Sequence, residues 1–330
     1  MRIGVIGVGR MGMVHAVTLR SVPGVELAIA DADRDRAEQV GGELGVDVAA
    51  DVESLISSSD AVVVAAATDA HADLVHAAAD ASLPVFCEKP ISLDLESTAD
   101  VVAHIDRAGV PFMMGFQRRF DAGYVAACEA VRRGDVGTVY VVRMSGHDPA
   151  PPPEGYIASS GGIFRDFGVH DFDALRFVTG QEVTSVYADG AVVGFPVFES
   201  YGDVDTAVAA LRLSGGSLGI LSATRHDPLG YDIRMELIGS RDSVAVGVDE
   251  RTPLRSLEPD APRTAATPYR DFQDRFQGAY RAEIEAFVEV ASGRRESPCT
   301  AQDALESLRI AVACDRSRAE RRPVELGEVG

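Results

Sequence analysis

The sequence predicts an α/β fold: an N-terminal Rossmann dinucleotide-binding domain, then an α+β domain with a large open, mainly antiparallel sheet. Three observations carry this expectation. Over the first 120 residues, short apolar runs alternate with helical patterns, the mark of βαβ units and a parallel sheet. A glycine-rich turn, GVGRMG (7–12), joins the first run to the first helix. Beyond residue 120, strand-like segments follow one another, several with alternating polarity and hairpin turns between them. The expected division is residues 1–120 for cofactor binding and 121–330 for substrate binding and oligomerisation.

RIGVIG (2–7) reads as the first strand and MVHAVTLRS as the first helix. VELAIAD (25–31), AVVVAAAT (61–68), PVFCEKP (84–90) and VPFMMGF (110–116) read as further strands. DRDRAEQVGGELG, DAHADLVHAAADAS and LESTADVVAHIDRAG are the helical segments between them. Near-continuous Val, Ile and Ala runs suit strands covered on both faces. In the second part, strands are expected over 138–147, 182–194, 204–214, 217–226, 231–240 and 242–249. SGG (214–216) and GSRD (239–242) read as hairpin turns, and helices are expected over 122–133, 168–179, 270–292 and 301–319. DPAPPPEG (148–155) and residues 249–268 are proline-rich loops.

The 330 residues are 46% hydrophobic and 25% charged, the composition of a globular chain with room for two cores. A formal net charge of −20 argues against nucleic acid or an anionic membrane as partner. Cys87, Cys128, Cys299 and Cys314 stand far apart and form no CxxC pair, which argues against a zinc ribbon or a disulfide framework. The opening MRIGVIG already reads as a strand, with no leader pattern, and no stretch has 18 uninterrupted apolar residues. A cytoplasmic protein is expected.

Each glycine of the turn has a task. Gly7 permits the tight turn, Gly9 lets a pyrophosphate approach the backbone, and Gly12 lets helix and strand pack closely. The phosphates then meet the helix N-terminus, where N–H groups and the dipole favour anions. Asp31 ends the second strand 19 residues after Gly12, where a carboxylate binds the ribose hydroxyls of NAD. The same carboxylate repels a 2′-phosphate. Arg34 and Arg36 lie just beyond as the counter-argument for NADP, and NAD is the expected cofactor.

SSGGIFRDFGVHDFDALRF (159–177) holds the densest polar cluster. Asp166, His170 and Asp173 are spaced four and three apart, one face of a helix. Oxidising an alcohol requires removal of the hydroxyl proton as hydride leaves carbon, and histidine titrates in the right range for that. A neighbouring aspartate orients such a base or binds a second hydroxyl, and a cation near the oxygen stabilises developing alkoxide. Lys89 suits the last role. Lys and Arg together number 31, and Lys89 is the sole lysine. A slim ammonium and a wide guanidinium fork are not interchangeable. Three bland readings stand beside this one: chance for the lone lysine, a helix cap for Asp166, and core packing for His170. A metal held by His170, Asp166 and Asp173 lacks any accompanying ligand cluster. His15, His76 and His104 read as structural residues on helices. His71 follows a strand and stands where it approaches the cofactor.

GVGRMG, Asp31, ATDAHADL (67–74), CEKP (87–90), MGFQRRFDAGY (114–124) and GGIFRDFGVHDFD (161–173), in this order, closely resemble the Gfo/Idh/MocA oxidoreductases. The resemblance covers nearly the whole chain, and within the family the sequence looks most like inositol 2-dehydrogenases. It implies NAD(P)-dependent oxidation of a polyol or sugar hydroxyl to a ketone. By the same resemblance Lys89 binds the reacting hydroxyl and the proton-transfer histidine, Asp166 contacts substrate and that histidine, and His170 is the general base. Gln117, Asp148 and Tyr231 join Lys89, Asp166 and His170 as substrate contacts. Arg10, Met11, Ala67, Thr68, His71, Glu88 and Lys89 join Gly7, Gly9, Gly12 and Asp31 at the cofactor. Two positions depart from the pattern: Gly146 stands where some inositol enzymes have His, and Phe167 where some have Thr. A pyranose dehydrogenase, a ketosugar reductase and a non-catalytic regulator are the alternatives, the last disfavoured by intact Lys89, Asp166 and His170. Family members are often tetramers joined through the open sheet.

Overall fold

The computed structural model describes residues 1–260, 265 and 267–330. Residues 261–264 and 266, part of the expected loop at 249–268, lie outside the described residues. The chain divides into two compact units, Met1–Phe120 with Gly278–Glu306, and Asp121–Gln277 with Ser307–Gly330.

The first unit alternates as expected: β1 (Arg2–Ile6), α1 (Arg10–Ser21), β2 (Glu26–Ala30), α2 (Arg34–Leu44), β3 (Asp47–Val48), α3 (Val52–Ser57), β4 (Ala61–Val64), α4 (Thr68–Asp80), β5 (Val85–Glu88), α5 (Leu95–Ala108) and β6 (Phe112–Gly115). The six strands run parallel in the order β3-β2-β1-β4-β5-β6, with the switch point between β1 and β4. Nucleotides bind at such a switch point. The helices begin and end where the sequence supplies caps. Asp33, Asp51 and Asp94 accept backbone N–H groups at the starts of α2, α3 and α5. Gly45 and Gly109 close α2 and α5 in the left-handed region.

The second unit contributes α6 (Ala122–Arg133), β7 (Val139–His147), α7 (Glu154–Ser160), α8 (Val169–Thr179), β8 (Val183–Ala191), β9 (Thr206–Leu213), β10 (Leu218–Thr224), β11 (Asp232–Gly239) and β12 (Ser243–Val246). The chain continues through α9 (Phe272–Ala291), α10 (Ala301–Glu320) and β13 (Val324–Glu325). The sheet order is β12-β11-β7-β10-β9-β8-β13. Only β7 and β10 pair in parallel; the other neighbours are antiparallel. Alternation along β9 buries Ala207, Ala209, Leu211 and Leu213, and α8 packs on β7. The opposite face carries Val208, Leu218, Ile220 and Tyr187, all exposed. Tyr187, Ala210 and Ile220 stand in lateral register there.

Three features differ from the sequence expectation. Residues 278–306 group with the first unit instead of the second. The reason is apolar: Ile284, Ala286, Phe287, Val288 and Val290 of α9 join the core of Ile3, Val5, Ile29, Val63 and Phe86. The proline-rich stretch turns helical at Glu154, with Pro153 at the cap, where its fixed φ suits a helix entry. Asp166 stands on a π-helical turn, Phe164–Gly168, that runs into α8.

Candidate active site

In the first unit, the glycine turn meets its steric requirements. Gly7 adopts φ +87°, and a Cβ there would lie 2.6 Å from Ala66 Cα. A Cβ on Gly12 would lie 1.8 Å from the Gly7 carbonyl oxygen. Gly9 has no atom within 4 Å of its Cβ position, so the loop is open there. Among the described residues no side chain caps the N-terminus of α1, which begins at Arg10 and Met11. Asp31 Oδ2 accepts the Val8 N–H at 2.7 Å and Oδ1 accepts the Asp33 N–H at 2.8 Å, fixing the carboxylate beside the glycine turn. Arg34 is turned to Glu38 and the Ala49 carbonyl. Arg36 reaches Asp31 at 3.5 Å and Asp33 at 3.3 Å. These residues fit a dinucleotide: a loop open at Gly9, an uncapped helix start and a fixed acid at the end of β2. Ala67 and Thr68 open α4.

Lys89 follows β5 directly, half-buried, and its peptide bond to Pro90 is cis. Its backbone N–H donates to Glu88 Oε2 at 3.2 Å, while Glu88 Oε1 lies 2.6 Å from His15 Nε2. His71 bridges two carbonyls, Pro90 O at 2.7 Å from Nδ1 and Ala66 O at 3.0 Å from Nε2. Gln117 is buried in the short helical turn Gln117–Phe120.

In the second unit, Asp148 and Asp166 are brought together by Arg225, which follows β10. Arg225 Nη1 lies 3.0 Å from Asp166 Oδ2 and 3.4 Å from Asp148 Oδ2. The other Asp166 oxygen accepts the Tyr156 hydroxyl at 2.7 Å. Arg225 is 2% exposed. Burial works against its charge; Asp166, Asp148 and Asp203 outweigh it, so the guanidinium pKa lies above its ordinary value. Its guanidinium also lies 5.6 Å from the Phe167 ring centre. Neither Arg225 nor Tyr156 was expected at the site. Both reach Asp166 through tertiary contacts with no spacing signature.

His170 is the second residue of α8 and remains partly exposed, whereas Asp173 on the same helix is fully buried. Tyr231 precedes β11, buried, with its N–H on the Tyr269 carbonyl at 2.8 Å. Among the described residues, the group with metal-ligand spacing is His147, Asp227 and Asp232, and not Asp166, His170 and Asp173. Arg234 already forks onto both oxygens of Asp232, at 2.7 and 2.9 Å.

The two departures noted in the sequence are one packing event. A Cβ on Gly146 would lie 2.3 Å from Phe167 Cε1. The Phe167 ring fills the volume that a side chain at 146 would take. Gly146→Ala is therefore expected to destabilise the fold by about 1–3 kcal/mol through overpacking. Phe167→Leu in the same chain is expected to relieve most of that loss. The check is a denaturant-unfolding cycle of the four proteins, and purely additive losses would refute the contact.

The parallel sheet and its glycine turn define the class of protein, one with a dinucleotide-binding fold. Residues 1–116 match the model of the oxidoreductase family with an NAD-binding Rossmann fold, and residues 124–245 match the GFO/IDH/MocA C-terminal domain. The chain belongs to the Gfo/Idh/MocA family, and its cofactor is NAD. It is 39% identical to the myo-inositol dehydrogenase Hyg17 of Streptomyces leeuwenhoekii over 96% of this chain and 97% of that one. It is 38% identical to the myo-inositol 2-dehydrogenase of Thermotoga maritima, over 100% and 99% of the two chains. The scyllo-inositol dehydrogenase of Lactobacillus casei, solved with bound NAD(H) and scyllo-inositol, superposes with a TM-score of 0.89 at 28% identity, over 99% of this chain and 99% of that one.

Proposed function

We propose that the protein oxidises one hydroxyl of an inositol, or of a stereoisomer of it, to a ketone, with His170 as base and Lys89 and Asp166 assisting. The observation that carries this is the Asp166–Arg225–Asp148 group with Tyr156 on Asp166. It is a rigid, charged array of donors and acceptors on the elements around His170, the chemistry that holds a molecule rich in hydroxyls. The names of the relatives support the same substrate class. Bound NAD supplies the hydride acceptor. His170 takes the hydroxyl proton, and the Lys89 ammonium stabilises the developing alkoxide and binds the reacting oxygen. Asp166, held at both oxygens, keeps one orientation toward substrate and base. Gln117, Asp148 and Tyr231 complete the substrate contacts. A pyranose or ketosugar substrate is the second reading, kept because the Phe167 ring takes the place of a side chain at 146 and so departs from the pattern of some inositol enzymes.

The test is a panel of myo-, scyllo- and D-chiro-inositol, glucose, galactose and xylose with NAD, scored by reduced cofactor. Turnover on an inositol is expected. Turnover confined to a pyranose would discard the inositol while keeping the site. We also propose a homotetramer joined through the exposed sheet face of Tyr187, Val208, Leu218 and Ile220, since apolar patches of this kind mark interfaces. Light scattering should give four times the 34.9 kDa chain mass, and a monomer would refute it. Among the described residues, no helix is long and apolar enough to cross a membrane. We also propose a cytoplasmic location: Cys87, Cys128, Cys299 and Cys314 stand far apart in the sequence and form no CxxC pair.

A further inference from the structure

We propose that His15 and His71 are positioning residues for Lys89, holding the turn at 88–90 from two sides. The inference rests on Lys89 acting at the reacting oxygen.

His15 lies on α1 with no solvent exposure. Its ring packs edge-on against Phe86 at 5.1 Å and Tyr280 at 6.3 Å. Nε2 lies 2.6 Å from Glu88 Oε1, and the other Glu88 oxygen accepts the Lys89 N–H. The imidazole therefore fixes Glu88, and Glu88 fixes the Lys89 main chain. A buried carboxylate costs several kcal/mol unless paired, and an apolar pair of similar volume would fill the space without that cost. The polar pair is present where the second Glu88 oxygen accepts from the backbone of Lys89.

His71 approaches from α4, 2% exposed. It ties Pro90 O to Ala66 O. Ala66 borders the glycine turn, since its Cα is what a Cβ on Gly7 would strike. One ring thus links the residue after Lys89 to the loop that meets the cofactor. Both acceptors are carbonyl oxygens. A neutral imidazole has one N–H and satisfies one of them at a time; the protonated ring satisfies both. Hydride and proton transfer need the ammonium held to within about an ångström, and displacements of that size cost rate on the order of 10²-fold. Two side chains that fix the main chain on either side of Lys89 supply that precision.

The experiment compares the intact protein with Lys89→Ala, His15→Leu, His15→Gln, His71→Leu and His71→Gln. Each is assayed with NAD and the polyol that the parent turns over fastest. The leucine variants are expected to lose kcat by on the order of 10–100-fold, and for His15→Leu, whose ring is buried away from the cofactor residues' surface, the Kd for NAD is expected within roughly threefold of the parent. His15→Gln, which keeps a donor for Glu88, is expected to recover most of the turnover. His71→Gln keeps one of two bonds and should fall between parent and leucine variant. A merely structural role would lower the unfolding midpoint without this kcat loss at full NAD binding. If a leucine variant does not fold, the glutamine variant at that position carries the comparison. Parent-like kcat in folded His71→Gln and both His15 variants, with Lys89→Ala inactive, overturns the positioning role and leaves Lys89 as assigned. Parent-like turnover in Lys89→Ala overturns the role of Lys89 itself, and the positioning role with it.

Discussion

Lys89→Arg is expected to keep the fold and NAD binding and to lose at least about 100-fold in turnover. The position follows β5 directly, and its main chain is fixed by Glu88. A compact ammonium there offers three rotatable donors to an oxygen. A guanidinium is planar and wider, and its fork matches carboxylates better than a single alkoxide. Charge is conserved in the substitution, so a loss isolates shape from charge. The measurement is kcat and KM for the polyol alongside NAD affinity. Near-parent kcat would return the solitary lysine to coincidence.

Arg225→Met is the second large effect, and it falls on stability as well as activity. Arg225 is 2% exposed and joins Asp166 and Asp148. Methionine fills much of the volume but leaves two carboxylates without their cation. Removing one partner of a buried charge network costs about 3–5 kcal/mol. An unpaired buried carboxylate is relieved by taking up a proton, so in the variant its folded-state pKa rises above the unfolded value. By linkage the deficit is then largest at neutral pH and shrinks toward acid. Denaturant midpoints of parent and variant across pH check this. Equal midpoints at neutral pH would show that the network contributes nothing to the fold.

The nucleotide half was legible because its signals are local. Gly7, Gly9 and Gly12 sit within six residues of chain; a Cβ at Gly7 or Gly12 would clash, and Gly9 stands open. Asp31 was legible for the same reason, a fixed distance from the turn. Lys89, Asp166 and His170 stood out through composition, spacing and family resemblance, and their joint action is a proposal. What did not stand out depends on contacts between distant residues. Arg225 and Tyr156 are 59 and 10 residues from Asp166, and neither lies in a motif. The apolar face of α9 reads as amphipathic, but a hydrophobic stripe carries no address, and its place in the first core was not expected. His15 was expected to be structural; its bond to Glu88 is a tertiary fact. The π-helical turn at 164–168 escaped because spacing rules assume an ideal helix.

The most direct measurement of the central claim follows hydrogen from carbon to cofactor. Purified protein is mixed with NAD and an inositol deuterated at its ring carbons, and the products are read by NMR and mass spectrometry. The predicted result is one deuteron on the nicotinamide ring of the reduced cofactor for each ketone formed. Reduced cofactor without deuterium, or ketone without reduced cofactor, would contradict hydride transfer from a polyol carbon.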